Sequence, residues 1–246
     1  MIPFINSLKI KEVYDLAERL NQNKYNNRKI TDIAISKVPY VSYPELSAND
    51  SLILHELAEY CLKLSKEQNN SNEVALTYNL DSKMLIENGF DNIIKETGIC
   101  FGTKTETNLY SDTKTMSMLW QAKNTTIINV HNHPSCGPFS MQDIDFFLSH
   151  STVKLMIVVG NNGELFYMDK DSCKYNNRIA INIFHDSLNQ IHPLSDINYT
   201  WKTEDLRKAS ELFFKSAVIC GINYQHALGN DIKLKRQKER DDDYAR

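Results

Sequence analysis

Apolar positions recur at helical spacing in two stretches near the start of the chain. In "LKIKEVYDLAERLNQ" (8 to 22), Ile10, Val13, Leu16, Ala17 and Leu20 share one face of a 3.6-residue period, which predicts an amphipathic helix. "SANDSLILHELAEYCLKLSKEQ" repeats the period behind an Asn49 or Asp50 cap, and "NNSN" breaks it. The pattern then shifts to alternation and to runs of strand formers. "EVALTYNL" (73 to 80) and "TGICFGT" read as strands, "TKTMSMLWQAK" as a helix, "TTIINVHNH" as a buried strand and "SMQDIDFFLSH" as a second helix. "KLMIVVGNNGELFYM" predicts two strands around Asn162-Gly163, a pair suited to the positive φ angles of a tight hairpin turn. "RIAINIFHDSLNQI" and "TEDLRKASELFFKSAVICGINYQHAL" read as helical, and the charged end "DIKLKRQKERDDDYAR" as a frayed, solvated tail.

These elements predict an α/β core over 71–170, a helical region over 1–70 before it and a second helical region over 171–246 after it, with no internal repeat. The chain has 246 residues, enough to bury a substantial core, and its 41% hydrophobic and 24% charged residues are those of an ordinary globular protein. A net charge of -3 gives no general attraction to phosphate backbones, and "KLKRQKER" is the one basic cluster that stands out. Cys61, Cys100, Cys136, Cys173 and Cys220 are odd in number, scattered and free of any C-x-x-C pair, so reduced thiols are expected rather than a disulfide framework. No signal peptide and no apolar run of bilayer length is present, so the expectation is an unprocessed cytoplasmic chain with no membrane partner. The abundance of Asn, Lys and Ile suggests an AT-rich, bacterial genome.

The chemistry lies in "VHNHPSCGPFSMQD" (130 to 143). In a strand, His131 and His133 point the same way, roughly 7 Å apart along the backbone, which suits two imidazoles converging on one ion. A turn, "PSCGP", leads into a helix whose first turn contains Asp143. Two neutral nitrogens and a carboxylate make a three-ligand zinc set that leaves a fourth position for water. Ser140-Met141-Gln142-Asp143 is also an S-x-x-D capping pattern, in which the serine hydroxyl satisfies an orphan amide at the helix start.

"HNHPS...S..D" resembles the metal motif of the JAB/MPN (JAMM) metalloproteases and is most similar to that of their bacterial RadC-type branch. The resemblance covers roughly residues 71 to 170. It implies a cytidine-deaminase-like α/β fold in which His131, His133 and Asp143 bind Zn2+, Ser140 positions the activated water or stabilises the oxyanion, and an upstream glutamate on a strand is the general base. Glu73, which opens "EVALTYNLD", matches that position best, with Glu87, Glu96 and Glu106 as the other upstream carboxylates. The order "CFGT", helix, "TIINVHNH" also agrees with that branch. Two departures bear on activity. "PSCGPF" holds six residues between His133 and Ser140 where the family has seven, and Cys136 stands where glycine is customary. Cys136 reads as a loop cysteine, with a soft metal ligand or a redox-sensitive thiol as alternatives.

Other signatures are incomplete. "HELAEY" begins like H-E-x-x-H but ends on Glu59, and the H-x-E with P-C-x-x-C of zinc deaminases is absent. The letters HNH match a nuclease family by name alone. His150, His185, His192 and His226 are isolated. The resemblance therefore implies a zinc-dependent metalloprotease or isopeptidase that hydrolyses an amide bond in a protein or peptide substrate. Two alternatives stay open: a RadC-like role in DNA repair or on mobile elements, and a catalytically inactive scaffold that binds a protein partner through the flanking helices.

Overall fold

The computed structural model describes residues 28–196 and 198–227. The helix expected over 8–22 and the charged tail from 231 lie outside them. The described chain forms an α/β arrangement around a six-stranded mixed sheet. It divides into two compact units: 28–138, 152–168 and 225–227 form the larger, and 139–151, 169–196 and 198–224 the smaller.

In the larger unit, a short helix α1 (Asp32–Ile35) precedes the long helix α2 (Ala48–Gln68). Its N-cap is Ser47, not the expected Asn49 or Asp50. Asp50 is instead the third helical residue and completes a reciprocal capping box with Ser47. The "NNSN" stretch stops the helix because Asn70 and Ser71 take positive φ (53° and 64°) and turn the chain into β1 (Val74–Asn79). Helix α3 (Phe90–Glu96) leads to β2 (Gly98–Phe101), and helix α4 (Thr113–Gln121), capped by Asp112, leads to β3 (Ile127–His133). β4 (Val153–Gly160) and β5 (Leu165–Lys170) follow.

The strand order is β2-β1-β3-β4-β5-β6, with β6 spanning Ile222–Ala227. β1 pairs antiparallel with β2 and β3, and β3 pairs parallel with β4. This places β3 well inside the sheet with all seven of its residues buried. Alternation divides them: Ile128 and Val130 join Leu54, Leu57, Leu62, Leu76 and Ile157 in the core under α2, while Ile127, Asn129, His131 and His133 face the other way. Each fully buried Leu or Ile on α2 contributes about 1.5–3 kcal/mol by leaving water, so this layer fixes the strand that carries the histidines.

The β4–β5 connection differs from a two-residue turn. The Gly163 amide donates to the Gly160 carbonyl, the Gly160 amide to the Glu164 carbonyl, and only Gly163 has positive φ (88°). That is a three-residue hairpin closed by a glycine in a left-handed conformation.

The smaller unit packs helix α5 (Met141–Ser149) with α6 (Asn177–Ile191) and α7 (Thr203–Ala217). Phe184 of α6 meets Phe213 of α7 edge to face, and Ser210 of α7 donates to the Phe139 carbonyl just before α5. The fully buried Lys170 ammonium donates to the carbonyls of Phe147 and His150, satisfying the C-terminal end of α5. The stretch expected to stay helical to Leu228 ends its helix at Ala217; Gly221 (φ 78°) then turns the chain into β6. No helix among the described residues is long and apolar enough to cross a membrane.

Candidate metal centre

Strand alternation brings His131 and His133 to the same side of β3, and their rings tilt together until the two Nε2 atoms are 3.2 Å apart. The opposite edge of each ring is tied down. Nδ1 of His131 lies 3.0 Å from Oδ1 of Asn129, whose amide nitrogen faces the Leu76 carbonyl and Thr77 hydroxyl. Nδ1 of His133 lies 3.1 Å from the Gly137 carbonyl. A carbonyl oxygen only accepts, so both Nδ1 atoms carry the proton in the neutral rings and both Nε2 lone pairs point at each other. Two lone pairs at that distance repel unless a proton shared between the rings or a metal cation lies against both. In a tetrahedral zinc site with Zn–N bonds of 2.0–2.1 Å, the nitrogens stand roughly 3.3 Å apart. The observed separation matches that spacing, and the hydrogen bonds at Nδ1 are those that fix ligand tautomer and orientation in metal sites.

Asp143 lies in the first turn of α5. Ser140 is the N-cap: its hydroxyl accepts from the Asp143 amide at 3.1 Å, and its own amide and hydroxyl each donate to Oδ2 of Asp143 at 2.7 Å. The capping and ligand readings of this motif are therefore compatible, because the cap itself orients the carboxylate. Ligand atoms of His131, His133 and Asp143 all lie within 4.8 Å of one another, and this is the group of three metal-type side chains found among the described residues. The six-residue loop between His133 and Ser140 turns with Cys136 in a left-handed conformation (φ 58°), its amide donating to the His133 carbonyl. That conformation is the one glycine adopts without strain. Burial raises the Cys136 pKa, favouring the protonated thiol over a thiolate ligand.

Glu73 is buried, whereas Glu87, Glu96 and Glu106 are exposed. Ala75 is the register partner of His131 in the antiparallel β1–β3 pair, and Glu73 stands two residues before Ala75, immediately ahead of β1. Its backbone is held from two sides. The amide donates to Thr103, and the carbonyl accepts from Gly102 and from the Asn69 side chain. Thr107 donates to its carboxylate at 3.4 Å. Gly102 makes that approach possible, since a Cβ there would lie 2.3 Å from the Thr107 hydroxyl.

The remaining histidines do not join this group. His55 pairs with Glu59 one helical turn along α2 at 3.7 Å. His150 stacks on Phe146, and burial lowers its pKa, as it does that of His185. His192 pairs with Asp196, and His226 stacks on Phe166.

Asn129, Asn132, Asn161 and Thr107 were not singled out from the sequence. Asn129 had a readable signal: it precedes His131 by two in a strand otherwise rich in Ile and Val, so it shares the histidine face. Comparison with protein-family models, with curated proteins and with solved structures finds no match to this chain.

Proposed function

We propose that this chain is a zinc-dependent amide hydrolase of the JAMM type, cleaving a peptide or isopeptide bond in a protein substrate. One observation carries the reading: two imidazoles with Nδ1 protonated present opposed Nε2 lone pairs at 3.2 Å, within reach of a carboxylate already oriented by its helix cap. The six-stranded mixed sheet is compatible with the cytidine-deaminase-like core that the motif implies.

In this reading His131 and His133 would hold the ion through Nε2, and Asp143 would hold it through its carboxylate. A divalent cation held there would supply Lewis acidity, bringing the pKa of water from 15.7 to about 7. Glu73, buried immediately before β1, would take the proton of the attacking water and pass it to the leaving amine nitrogen. Thr107 orients the Glu73 carboxylate. Ser140 keeps Asp143 in position through its amide and hydroxyl.

Zinc content and cleavage of mixed-sequence and lysine-linked peptides test the reading together. The expectation is about one zinc per chain and cleavage that a chelator stops and zinc restores. A chain that neither carries zinc nor takes it up on titration is not this hydrolase, and the scaffold alternative would stand.

A further inference from the structure

Between the two histidines on β3 stands Asn132, fully buried and facing the α2 core with Ile128 and Val130. An apolar residue would suit that environment, and a buried carboxamide costs free energy unless each of its groups finds a partner. Here each does. Oδ1 accepts from the Val74 amide at 2.7 Å. Nδ2 faces the Asn72 carbonyl at 3.2 Å, the Ser65 hydroxyl at 3.2 Å and Oδ1 of Asn161 at 2.8 Å. Asn161, also fully buried, donates through its side chain to the carbonyls of Ser71 (2.9 Å) and Arg28 (2.7 Å), and through its amide to the carbonyl of His133 (3.2 Å).

The choice of partners is specific. Asn132 holds the backbone immediately before and after Glu73, through Asn72 and Val74, while belonging to the strand of both histidines. Asn161 holds Ser71, two residues before Glu73, and His133 itself. The pair thus ties the segment carrying the general base to the end of the strand carrying the ligands, with no bond to either reacting side chain.

We infer that Asn132 and Asn161 are positioning residues that set the distance between Glu73 and the His131–His133 pair. The inference rests on the hydrolase reading above. A buried carboxamide pair suits this task because its hydrogen bonds have one geometry, whereas apolar packing at the same place would stabilise the sheet without fixing how Glu73 enters β1. Such precision matters, since a 1 Å misplacement can cost about 100-fold in rate.

A double-mutant cycle on the Co2+-loaded full chain tests it, with acetohydroxamate as the probe and visible absorption as the readout. A hydroxamic acid that chelates a metal gives up its O–H proton, and a carboxylate placed to accept that proton adds to the affinity, so Glu73→Gln is expected to weaken binding. Asn132→Ala is expected to weaken it about 10–100-fold at unchanged Co2+ stoichiometry, with little further loss when combined with Glu73→Gln. Asn161→Ala, which retains the Asn132 bonds to Val74 and Asn72, gives the same pattern at smaller amplitude and serves if Asn132→Ala does not fold. Equal losses with and without the Glu73 carboxylate, or wild-type affinity in a variant that merely melts earlier, overturn the inference and leave the hydrolase reading intact. A wild-type chain that takes up no Co2+ overturns both.

Discussion

Gly160, at the end of β4, lies against Cys136 in the loop that follows His133. A side chain on Gly160 would meet the Cys136 Cα at 3.2 Å and the Asn162 side-chain oxygen at 2.5 Å. The loop folds down onto a strand that offers no Cβ to resist it. Gly160→Ala is expected to cost about 1–3 kcal/mol by overpacking and to lower zinc affinity, because the displaced loop carries the Gly137 carbonyl that holds His133. Urea unfolding and chelator competition measure the two effects.

On the proposed hydrolase reading, substituting the ligands and substituting the base should separate. His131→Ala and His133→Ala lose zinc and activity together, whereas Glu73→Gln keeps zinc and loses turnover. Metal analysis beside a peptide-cleavage assay distinguishes them. Full activity in Glu73→Gln would remove that residue from the mechanism.

Ser140→Ala removes the N-cap of α5. The expected loss is about 1 kcal/mol of stability and about 10–100-fold in zinc affinity, the usual effect of deleting a group that orients a ligand. A stability loss with zinc affinity unchanged would reduce Ser140 to a helix cap.

Asp145 gives a pH test on the metal-free protein. Burial raises its pKa from 3.8 to about 6. A folded-state pKa above the unfolded value contributes stability that is fully present below pH 3.8 and lost as pH rises through about 6. Asp145→Asn should therefore stabilise the protein by about 3 kcal/mol at pH 8, with little gain at pH 3.5. Thermal unfolding of both proteins across that range checks the sign, and an equal gain at both ends would rule out ionisation as the cause.

Local pattern made much of this structure readable in advance. The period-2 placement of His131 and His133 in a strand of β-branched residues, the S-x-x-D helix start and the order of strands and helices from 73 to 170 all depend on neighbours close in sequence. Where the reading departed from the structure, distance along the chain or competing local signals are responsible. Ser47, Asn49 and Asp50 are all good cap residues, and which one served depended on where α2 met the sheet. Residues 222–227 carry a strand because the neighbouring sheet edge outweighs a helical pattern that runs on from α7. Asn132 and Asn161 are 29 positions apart, and each alone reads as an ordinary polar residue in a turn or strand.

Hairpin tips are ordinarily where a protein tolerates tags, insertions and new termini. The β4–β5 tip is an exception, because Asn161 is drawn wholly inside and a Cβ on Gly163 would lie 2.3 Å from the Ala34 carbonyl. Lengthening this tip by even one residue would transmit its disturbance along the carboxamide pair to the segment before β1 and to His133. For anyone engineering or immobilising the protein, the most hairpin-like attachment point is therefore the one to avoid.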